Sequence, residues 1–219
     1  MASANENLVS DLGIGCFNCN GLANSQKREL VLQWLQDKDD NIIFLQETHS
    51  TPDTELQWTN QWNGKIIFSH GSSNSTGVAI LVKRRPQQEI KIIKHVVLHA
   101  GRALVLQVDS AGAIFTLVNV YCPNNDDSEF VEKVILEAFD YADNTNLIYA
   151  GDWNTVLNNS LDKCGGAPRH RNIKCQNLLN NFISDWGFSD IFRLTHGDQK
   201  VYSHVDKQHK TQTRLDFFL

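Results

Sequence analysis

The segment LVNVYCPNN, residues 117–125, begins as an apolar, β-branched run and ends in a polar turn. Apolar, β-branched residues bounded by turn residues are typical of a β-strand. The pattern recurs along most of the chain, and we predict strands near 12–18, 42–46, 65–68, 77–82, 90–98, 103–108, 113–120, 147–151, 188–192, 200–203 and 214–218. Strands therefore dominate the predicted secondary structure.

Three segments, 25–37, 128–142 and 172–185, have helical periodicity instead. In the first, four apolar residues share the face that we expect to be buried: Leu30, Val31, Trp34 and Leu35. The order of elements does not fit a regular βαβ repeat. We therefore predict an α/β protein of the α+β type, in which two packed sheets carry helices on their outer faces. A length of 219 residues fits one domain, residues 1–219.

The composition is that of a soluble globular protein, with 41% hydrophobic and 21% charged residues. The longest apolar runs are far shorter than the ~20 residues that cross a bilayer, so we expect no membrane partner. The N-terminus has no recognisable secretory signal, and the five cysteines are odd in number. We expect an intracellular protein with free thiols, in which Cys16 and Cys19 are buried small residues rather than a zinc or redox pair.

The net charge of −5 is unusual for a protein that binds nucleic acid. A metal-dependent nuclease, however, concentrates carboxylates at its centre, and the bound cation reverses the local field. Basic residues do form local clusters: Lys83 to Arg85; Arg169, His170, Arg171 and Lys174; and Lys207, His209 and Lys210. Contact with DNA and an ordinary solvated surface both remain open for each cluster.

Several predicted strands end in a polar cluster where the chain turns. These clusters are Asn18 and Asn20 with Gly21, Gln46 and Glu47, Tyr121 with Pro123 and Asn124, and Asp152 with Asn154, while Asp216 interrupts the last apolar run. Each cluster alone is ordinary turn chemistry. Together they predict one site at a shared edge of the sandwich, because carboxylates suit Mg²⁺ and amides or hydroxyls hold phosphate oxygens.

The strings FNCNGL (17–22), FLQETH (44–49), LVNVYCPNN (117–125), YAGDWN (149–154) and RLDFFL (214–219) resemble five ordered motifs of the endonuclease/exonuclease/phosphatase superfamily. This resemblance implies a four-layered α/β sandwich with two mostly antiparallel sheets flanked by helices. The segments GVAILVKR (77–84), HAGRALVLQV (99–108) and LNNSLDKCGG (157–166) resemble the branch of LINE-type retrotransposon endonucleases more than the repair branch.

The resemblance also implies a metal site. Glu47 matches the family's metal-binding glutamate, and Asp152 lies beside the metal as well. Asn20 stands where repair members often carry an aspartate near the metal, whereas retrotransposon members commonly carry asparagine. The implied cofactor is Mg²⁺, with Mn²⁺ as the substitute.

Four residues match the family's catalytic positions. Asp152 would align or deprotonate the attacking water, and Asn154 would stabilise the developing charge. Tyr121 would contact the scissile phosphate, and Asp216 would orient a catalytic histidine. That histidine belongs to a later S-D-H motif which residues 1–219 do not contain. We therefore expect a chain cut short before this motif, lacking its last strand or strands, with weak or no activity by itself.

Four further residues are predicted to contact the DNA phosphates: Asn18 and Asn124 from the family motifs, and Arg169 and Lys210 from the basic clusters. The segment SHVDKQHKTQT (203–213) corresponds to a hairpin loop that in the LINE branch enters the DNA groove, although ordinary solvation fits its composition equally well. The eight histidines of the chain are expected to be surface or structural residues.

The leading hypothesis is a Mg²⁺-dependent endonuclease that nicks DNA in the nucleus. The 3′ hydroxyl left by the nick would prime reverse transcription at the target site. The DNA-cutting domain would then be fused to a reverse transcriptase in the full-length protein. Two alternatives remain: an apurinic-site repair nuclease or phosphatase of the same superfamily, and a catalytically inactive fragment that serves at most in binding.

Overall fold

The computed structural model describes residues 12–86, 89–143, 145–166 and 172–219. The strands are β1 Ile14–Asn18, β2 Ile42–Gln46, β3 Gly64–Ser69, β4 Val78–Lys83, β5 Ile90–His99, β6 Ala103–Ser110, β7 Ala113–Tyr121, β8 Asn146–Asp152, β9 Lys163–Gly165, β10 His204–Asp206, β11 Thr211–Thr213 and β12 Asp216–Phe218. The helices are α1 Ser25–Gln36, α2 Glu55–Gln61, α3 Ser128–Ala142, α4 Ile173–Trp186 and α5 Ile191–His196. Within the described ranges, no helix is long and apolar enough to cross a membrane.

The first sheet has the strand order β1-β2-β4-β3, in which only the β1–β2 pair is parallel. Its central strand β2 is buried on both faces, which explains its unbroken apolar sequence. Ile42 and Phe44 pack toward the second sheet, whereas Ile43 and Leu45 pack under α1 and α2. The period-two alternation of a strand thus supplies two different cores.

The second sheet has the order β12-β8-β7-β6-β5, in which only β7 and β8 are parallel. Leu117 of β7 belongs to the core between the sheets, and its neighbour Val118 packs under α3 and α4. Asp127 caps the N-terminus of α3 by accepting a hydrogen bond from the Phe130 backbone N–H at 3.0 Å. The layers therefore run helix, sheet, sheet, helix, and the four-layered α/β sandwich is confirmed.

The buried face of α1 differs from the prediction. Leu30 and Trp34 are exposed, and Arg28 is fully buried in their place. Its guanidinium donates to Gln61 Oε1 at 2.7 Å and to the Leu22 carbonyl at 3.1 Å. Burial of this charge is tolerated because the fold supplies acceptors, which apolar periodicity does not report.

The predicted strands at 188–192 and 200–203 are wrong. Residues 191–196 form α5, because the Asp190 side chain caps this turn by accepting from the Phe192 N–H at 3.1 Å. The chain becomes a strand only at His204, where β10 and β11 form a hairpin. With β9 this hairpin forms a third, three-stranded sheet that the sequence did not predict.

Gly151, next to Asp152, lies where β8 approaches β7 most closely. Its φ is +153°, and a Cβ added there would lie 1.8 Å from the Val120 carbonyl oxygen. Any side chain would force the two strands apart. Glycine at this position therefore sets the position of the neighbouring carboxylate.

We expect Gly151→Ala to lower the free energy of unfolding by about 3 kcal/mol or more, since overpacking adds to an unfavourable φ. Gly112→Ala is the matched control, because Gly112 also has positive φ, +86°, but a Cβ there meets nothing within 4 Å. It should cost only about 1–2 kcal/mol. Urea unfolding measures the free energy of unfolding of both variants. Equal decreases in the two variants would show that the close approach of β7 and β8 is unimportant.

Candidate active site

Four side chains from both sheets meet at one end of the sandwich, and we call them the strand-end cluster: Asn18, Glu47, Tyr121 and Asp152. The Asn18 side-chain amide donates to Glu47 Oε1 at 3.0 Å and to Asp152 Oδ2 at 2.8 Å. The Tyr121 hydroxyl also donates to Glu47 Oε1, at 3.0 Å. The predicted convergence of these strand ends is therefore observed.

Backbone pairing places each member. Asn18 and Gln46 are partners at the ends of parallel β1 and β2, and Glu47 follows directly. Tyr121 and Asp152 are partners at the ends of parallel β7 and β8. Parallel strands end at the same edge, so each sheet brings two functional positions to that edge.

A buried amide pair joins the two sheets directly beneath the cluster. Gln46 Nε2 donates to Asn119 Oδ1 at 2.6 Å, and Asn119 Nδ2 donates to the carbonyls of Leu45 and Ala79 at 3.0 and 2.9 Å. Sequence reasoning missed Asn119. The available signal was an amide inside the apolar run of β7, where a buried polar group requires partners.

Asp216 lies directly opposite Asp152 in the antiparallel β12–β8 pair. Burial, followed by the charge of Asp216, raises the pKa of Asp152 to about 7, while hydrogen bonds from Asn154 and Asn18 act in the opposite direction. Burial also raises the pKa of Asp216, partly offset by Ser203 and His204. Two buried carboxyls in facing register are thus kept readily protonated.

Asp216 is held in place through Arg214, which sequence reasoning did not include among the site residues. The Arg214 guanidinium is buried, donates to Asp162 Oδ1 at 2.8 Å and forms an ion pair with Asp190. Hydrogen bonds from Arg214 and Arg193 lower the pKa of Asp162 although its burial opposes this. The network fixes the start of β12 to α5 and to the loop after β8.

Asn154 is fixed beside Asp152 in a left-handed backbone conformation, with φ of 48°. Its backbone N–H donates to Asp152 Oδ1 at 2.9 Å, and its side-chain amide donates to the Cys122 carbonyl at 2.8 Å. The Asn172 amide in turn donates to the Asn154 carbonyl at 2.6 Å. These bonds support a conformation that is unfavourable for most residues.

The cluster opens into a cleft of about 480 Å³. Asn124, predicted to contact phosphate, lines this cleft, as does His204 of the hairpin, which the sequence assigned to the surface or structural class. The hairpin predicted for residues 203–213 is confirmed and forms one wall. Lys210 lies exposed at its turn, with φ of 49°.

The remaining predicted residues are less central. The Asn20 backbone N–H donates to Asn18 Oδ1 at 3.0 Å, and its side chain is exposed. Arg169 lies outside the described residues. Lys83 donates to the carbonyls of Gln36 and Lys38 at the opposite end of β4, so this part of the basic cluster 83–85 anchors the end of α1 rather than the cleft.

The C-x-x-C pair contributes no charged thiolate. Burial raises the pKa of Cys16 well above its usual range and that of Cys19 to about 12. Cys19 Sγ donates to the Gln46 carbonyl at 3.0 Å. Both thiols are therefore inert near neutral pH.

The chemistry of the cluster fits a divalent cation. Glu47 and Asp152 share the Asn18 donor, and Asp216 Oδ1 is buried without a hydrogen-bond partner among the described residues. In those same residues no group of three or more His, Cys, Asp or Glu has the geometry of a complete metal cage. Mg²⁺ does not need one, because it is held by one or two carboxylates plus water and phosphate.

Three comparisons describe what the chain is similar to. A sequence profile described as the Endonuclease/Exonuclease/phosphatase family matches residues 15–219. The "Transposon TX1 uncharacterized 149 kDa protein" of Xenopus laevis is 29% identical over 209 residues, which are 94% of this chain and 16% of the relative. The chain therefore spans only about one sixth of that relative.

Solved structures show the same fold at low sequence identity. The APE2 catalytic domain of Xenopus laevis has a TM-score of 0.72 and 20% identity, covering 94% of this chain and 81% of its own. An AP endonuclease from Archaeoglobus fulgidus has a TM-score of 0.71 and 18% identity, and the match covers 95% of this chain and 86% of that one. The 3′ phosphatase NExo (D146N) from Neisseria, bound to a product DNA hairpin, has a TM-score of 0.66 and 20% identity. This match also covers 95% of this chain and 86% of that one.

The raised pKa of Asp152 predicts a pH-dependent stability for the metal-free protein. Between pH 4 and 7 the folded carboxyl holds its proton more tightly than the unfolded one, so the free energy of unfolding falls as pH rises. A pKa of about 7, raised from 3.8, corresponds to a decrease of up to about 4 kcal/mol in the free energy of unfolding over this pH range.

We expect Asp152→Asn to flatten this decline, because the neutral amide has no charge to bury. Urea unfolding in EDTA at several pH values measures the effect. Asp140→Asn, at an exposed position on α3, is the control and should follow the wild-type profile. If the free energy of unfolding of Asp152→Asn falls with rising pH as it does in the wild type, the raised pKa of Asp152 is not the cause of the decline.

Proposed function

The chain belongs to the endonuclease/exonuclease/phosphatase family, and from this membership we propose that it is a Mg²⁺-dependent hydrolase that nicks DNA. The observation that carries the proposal is the strand-end cluster, where Glu47 and Asp152 from different sheets share the Asn18 amide at the base of a cleft. Family membership supports a nuclease or phosphatase, and the cluster supplies two carboxylates for a cation together with a hydroxyl and an amide for a phosphate.

Glu47 and Asp152 are the residues that would hold the cation. When bound, Mg²⁺ would neutralise charge on a nonbridging phosphate oxygen. The Tyr121 hydroxyl stays protonated because burial, followed by the charge of Glu47, raises its pKa far above neutrality. It is therefore a neutral donor with a single hydrogen, which it gives to Glu47 here and would have to turn toward a phosphate oxygen to orient it without repelling it.

Asp152 is proposed to take the proton of the water that attacks phosphorus, while the P–O3′ bond breaks to give a 5′ phosphate and a 3′ oxygen that takes its proton from solvent. In the cation-free site burial raises the pKa of Asp152 to about 7, and a bound cation would lower it, so that Asp152 would be an ionised carboxylate able to accept a proton at neutral pH. Asp216 contributes through Asp152, since the charge of Asp216 helps to raise that pKa. Asn154 and Asn124 line the cleft and provide amides for the phosphate.

DNA nicking is favoured over the related activities of the family. The relative with 29% identity over most of this chain is a transposon protein, whereas the apurinic nucleases and the 3′ phosphatase are at most 20% identical and share the fold alone. We propose that the nick leaves a 3′ hydroxyl which primes reverse transcription at the target site.

The size of the transposon relative supports a longer natural protein. Residues 1–219 would form one domain of a polypeptide that also carries a reverse transcriptase and acts on nuclear DNA. Its DNA would lie across the cleft, with the hairpin of β10 and β11 against the groove. Mg²⁺ suits the carboxylate oxygens of the site, and Mn²⁺ would substitute for it because both cations take oxygen ligands.

The nuclease proposal is tested with the natural polypeptide that contains residues 1–219. In Mg²⁺ it should convert supercoiled plasmid to the nicked circle, and EDTA should abolish the reaction. Glu47→Ala and Asp152→Asn should each reduce the rate about 100-fold or more, because each removes a group required for cation binding or proton transfer. Direct extension of the nick by a polymerase reports the 3′ hydroxyl.

Glu132→Ala, at an exposed position on α3, is the matched control and should nick at the wild-type rate. Wild-type rates in Glu47→Ala would refute the proposed metal site. An enzyme that releases phosphate from DNA ends but leaves the closed circle intact would be a phosphatase instead.

The proposed DNA path predicts a role for Lys210 at the hairpin turn. Lys210→Ala should weaken DNA binding and reduce the slope of log K against log salt by about 1, as expected for one lost phosphate contact. Lys65→Ala, on an exposed residue near the opposite end of β3, is the control. Equal salt slopes for the Lys210 variant and the wild type would place the DNA elsewhere.

A further inference from the structure

Glu47 is held in an unfavourable backbone conformation. It has a φ of 53°, and His49, two residues later, has a φ of 52°. Left-handed conformations at non-glycine residues cost on the order of 1–3 kcal/mol each and persist only where surrounding contacts impose them. The position of the Glu47 carboxylate therefore depends on whatever fixes residues 47–50.

Backbone hydrogen bonds supply part of this constraint. The Thr48 N–H donates to the Gly77 carbonyl at 2.9 Å, and the His49 N–H donates to the Thr76 carbonyl at 3.0 Å. Gly77 lies so close that an added Cβ would be 2.4 Å from Thr48 Oγ1. The Gly21 and Leu22 N–H groups also donate, to the Glu47 and Thr48 carbonyls at 2.8 and 3.0 Å, so these bonds hold the backbone of the loop but do not contact the Ser50 side chain.

A chain of hydrogen-bonded side chains also holds the loop. Thr48 Oγ1 lies 3.0 Å from Ser50 Oγ, which lies 3.0 Å from His70 Nδ1, and His70 Nε2 lies 2.7 Å from Glu55 Oε1. Thr48 and Ser50 are fully buried, so these hydroxyls have no alternative partner in solvent. The His70 ring also stacks on Phe68, with centroids 5.0 Å apart.

The Glu55 carboxylate determines the direction of this chain. A carboxylate only accepts hydrogen bonds, so His70 Nε2 must carry the hydrogen. In the neutral imidazole Nδ1 is then an acceptor for the Ser50 hydroxyl, and Ser50 Oγ accepts from Thr48. Each group thus has a defined role, and the imidazole connects helix α2 to the strained loop.

We propose that His70 is a positioning residue for the cation site, which it serves by holding Ser50 and Thr48 and thereby the Glu47 carboxylate. Among the described residues the His70 ring hydrogen-bonds to Ser50 and Glu55 rather than to Glu47, and His70 does not line the cleft. The inference rests on the proposed function, because it assigns a role toward the cation that Glu47 binds. Partners that orient metal ligands affect metal affinity by about 10- to 100-fold.

The test uses Mn²⁺ as the probe and measures its equilibrium binding by the EPR signal of the free ion. His70→Ala should weaken Mn²⁺ binding about 10-fold. His70→Asn keeps an acceptor near the position of Nδ1 for Ser50 and should restore most of the affinity. His70→Gln keeps the contact with Glu55 but not the one with Ser50, and should resemble His70→Ala.

A second readout needs no metal. Hydrogen exchange at the Thr48 and His49 amides should accelerate in His70→Ala and His70→Gln but not in His70→Asn. His95→Ala, at an exposed position on β5, controls for loss of an imidazole and should change neither measurement. Thermal unfolding midpoints identify any variant that has simply lost its fold. Among folded variants, the difference between His70→Asn and His70→Gln in Mn²⁺ affinity and amide exchange decides whether His70 positions the loop.

The outcomes separate the two proposals. If the wild type binds no Mn²⁺, or Glu47→Ala binds it equally well, the proposed metal site fails and the inference falls with it. If the wild type binds Mn²⁺ through Glu47 but His70→Asn and His70→Gln bind it alike, only the positioning role is overturned. A general loss of stability without this Asn–Gln difference would also overturn it.

Discussion

The carboxyls of Asp152 and Asp216 face each other on neighbouring strands, and both are largely buried. Like charges in this arrangement repel, and burial makes the repulsion stronger. Asn18 and Asn154 donate hydrogen bonds to Asp152, which stabilise its charged form. The buried ion pairs of Arg214 hold the strand two residues from Asp216. Both carboxyls therefore take up a proton more easily than an exposed carboxyl does.

The packing of the two sheets fixes the relative positions of the acidic side chains. Glu47 and Asp152 belong to different sheets, and the Gln46–Asn119 pair fixes how those sheets are aligned just beneath them. Asn18, Tyr121 and Asp152 are the last residues of packed strands and are therefore preorganised, whereas Glu47 lies one residue beyond β2 and depends on the contacts of its loop. The same rigidity requires Gly151, because β7 and β8 approach too closely there for any side chain.

A net charge of −5 is compatible with DNA as a substrate because the charges are unevenly distributed. Two carboxylates, Glu47 and Asp152, lie at the base of the cleft, where a cation would reverse their field. The wall of the cleft is the hairpin, which carries Lys210 at its exposed turn and His204 on the cleft side. Lys83, in another basic cluster, has a structural role at the end of α1.

Local pattern alone determined most strands, three helices and the residues at the strand ends, because alternation and turn chemistry depend on near neighbours in the chain. The family and its four-layered fold followed from ordered motifs. Only the tertiary structure decided which face of α1 is buried, that residues 191–196 form a helix, and that His70 supports the Glu47 loop. These outcomes depend on partners far apart in sequence, such as Asn18 and Asp152 at a separation of 134 residues, and a buried polar group becomes favourable only when folding brings its partner near.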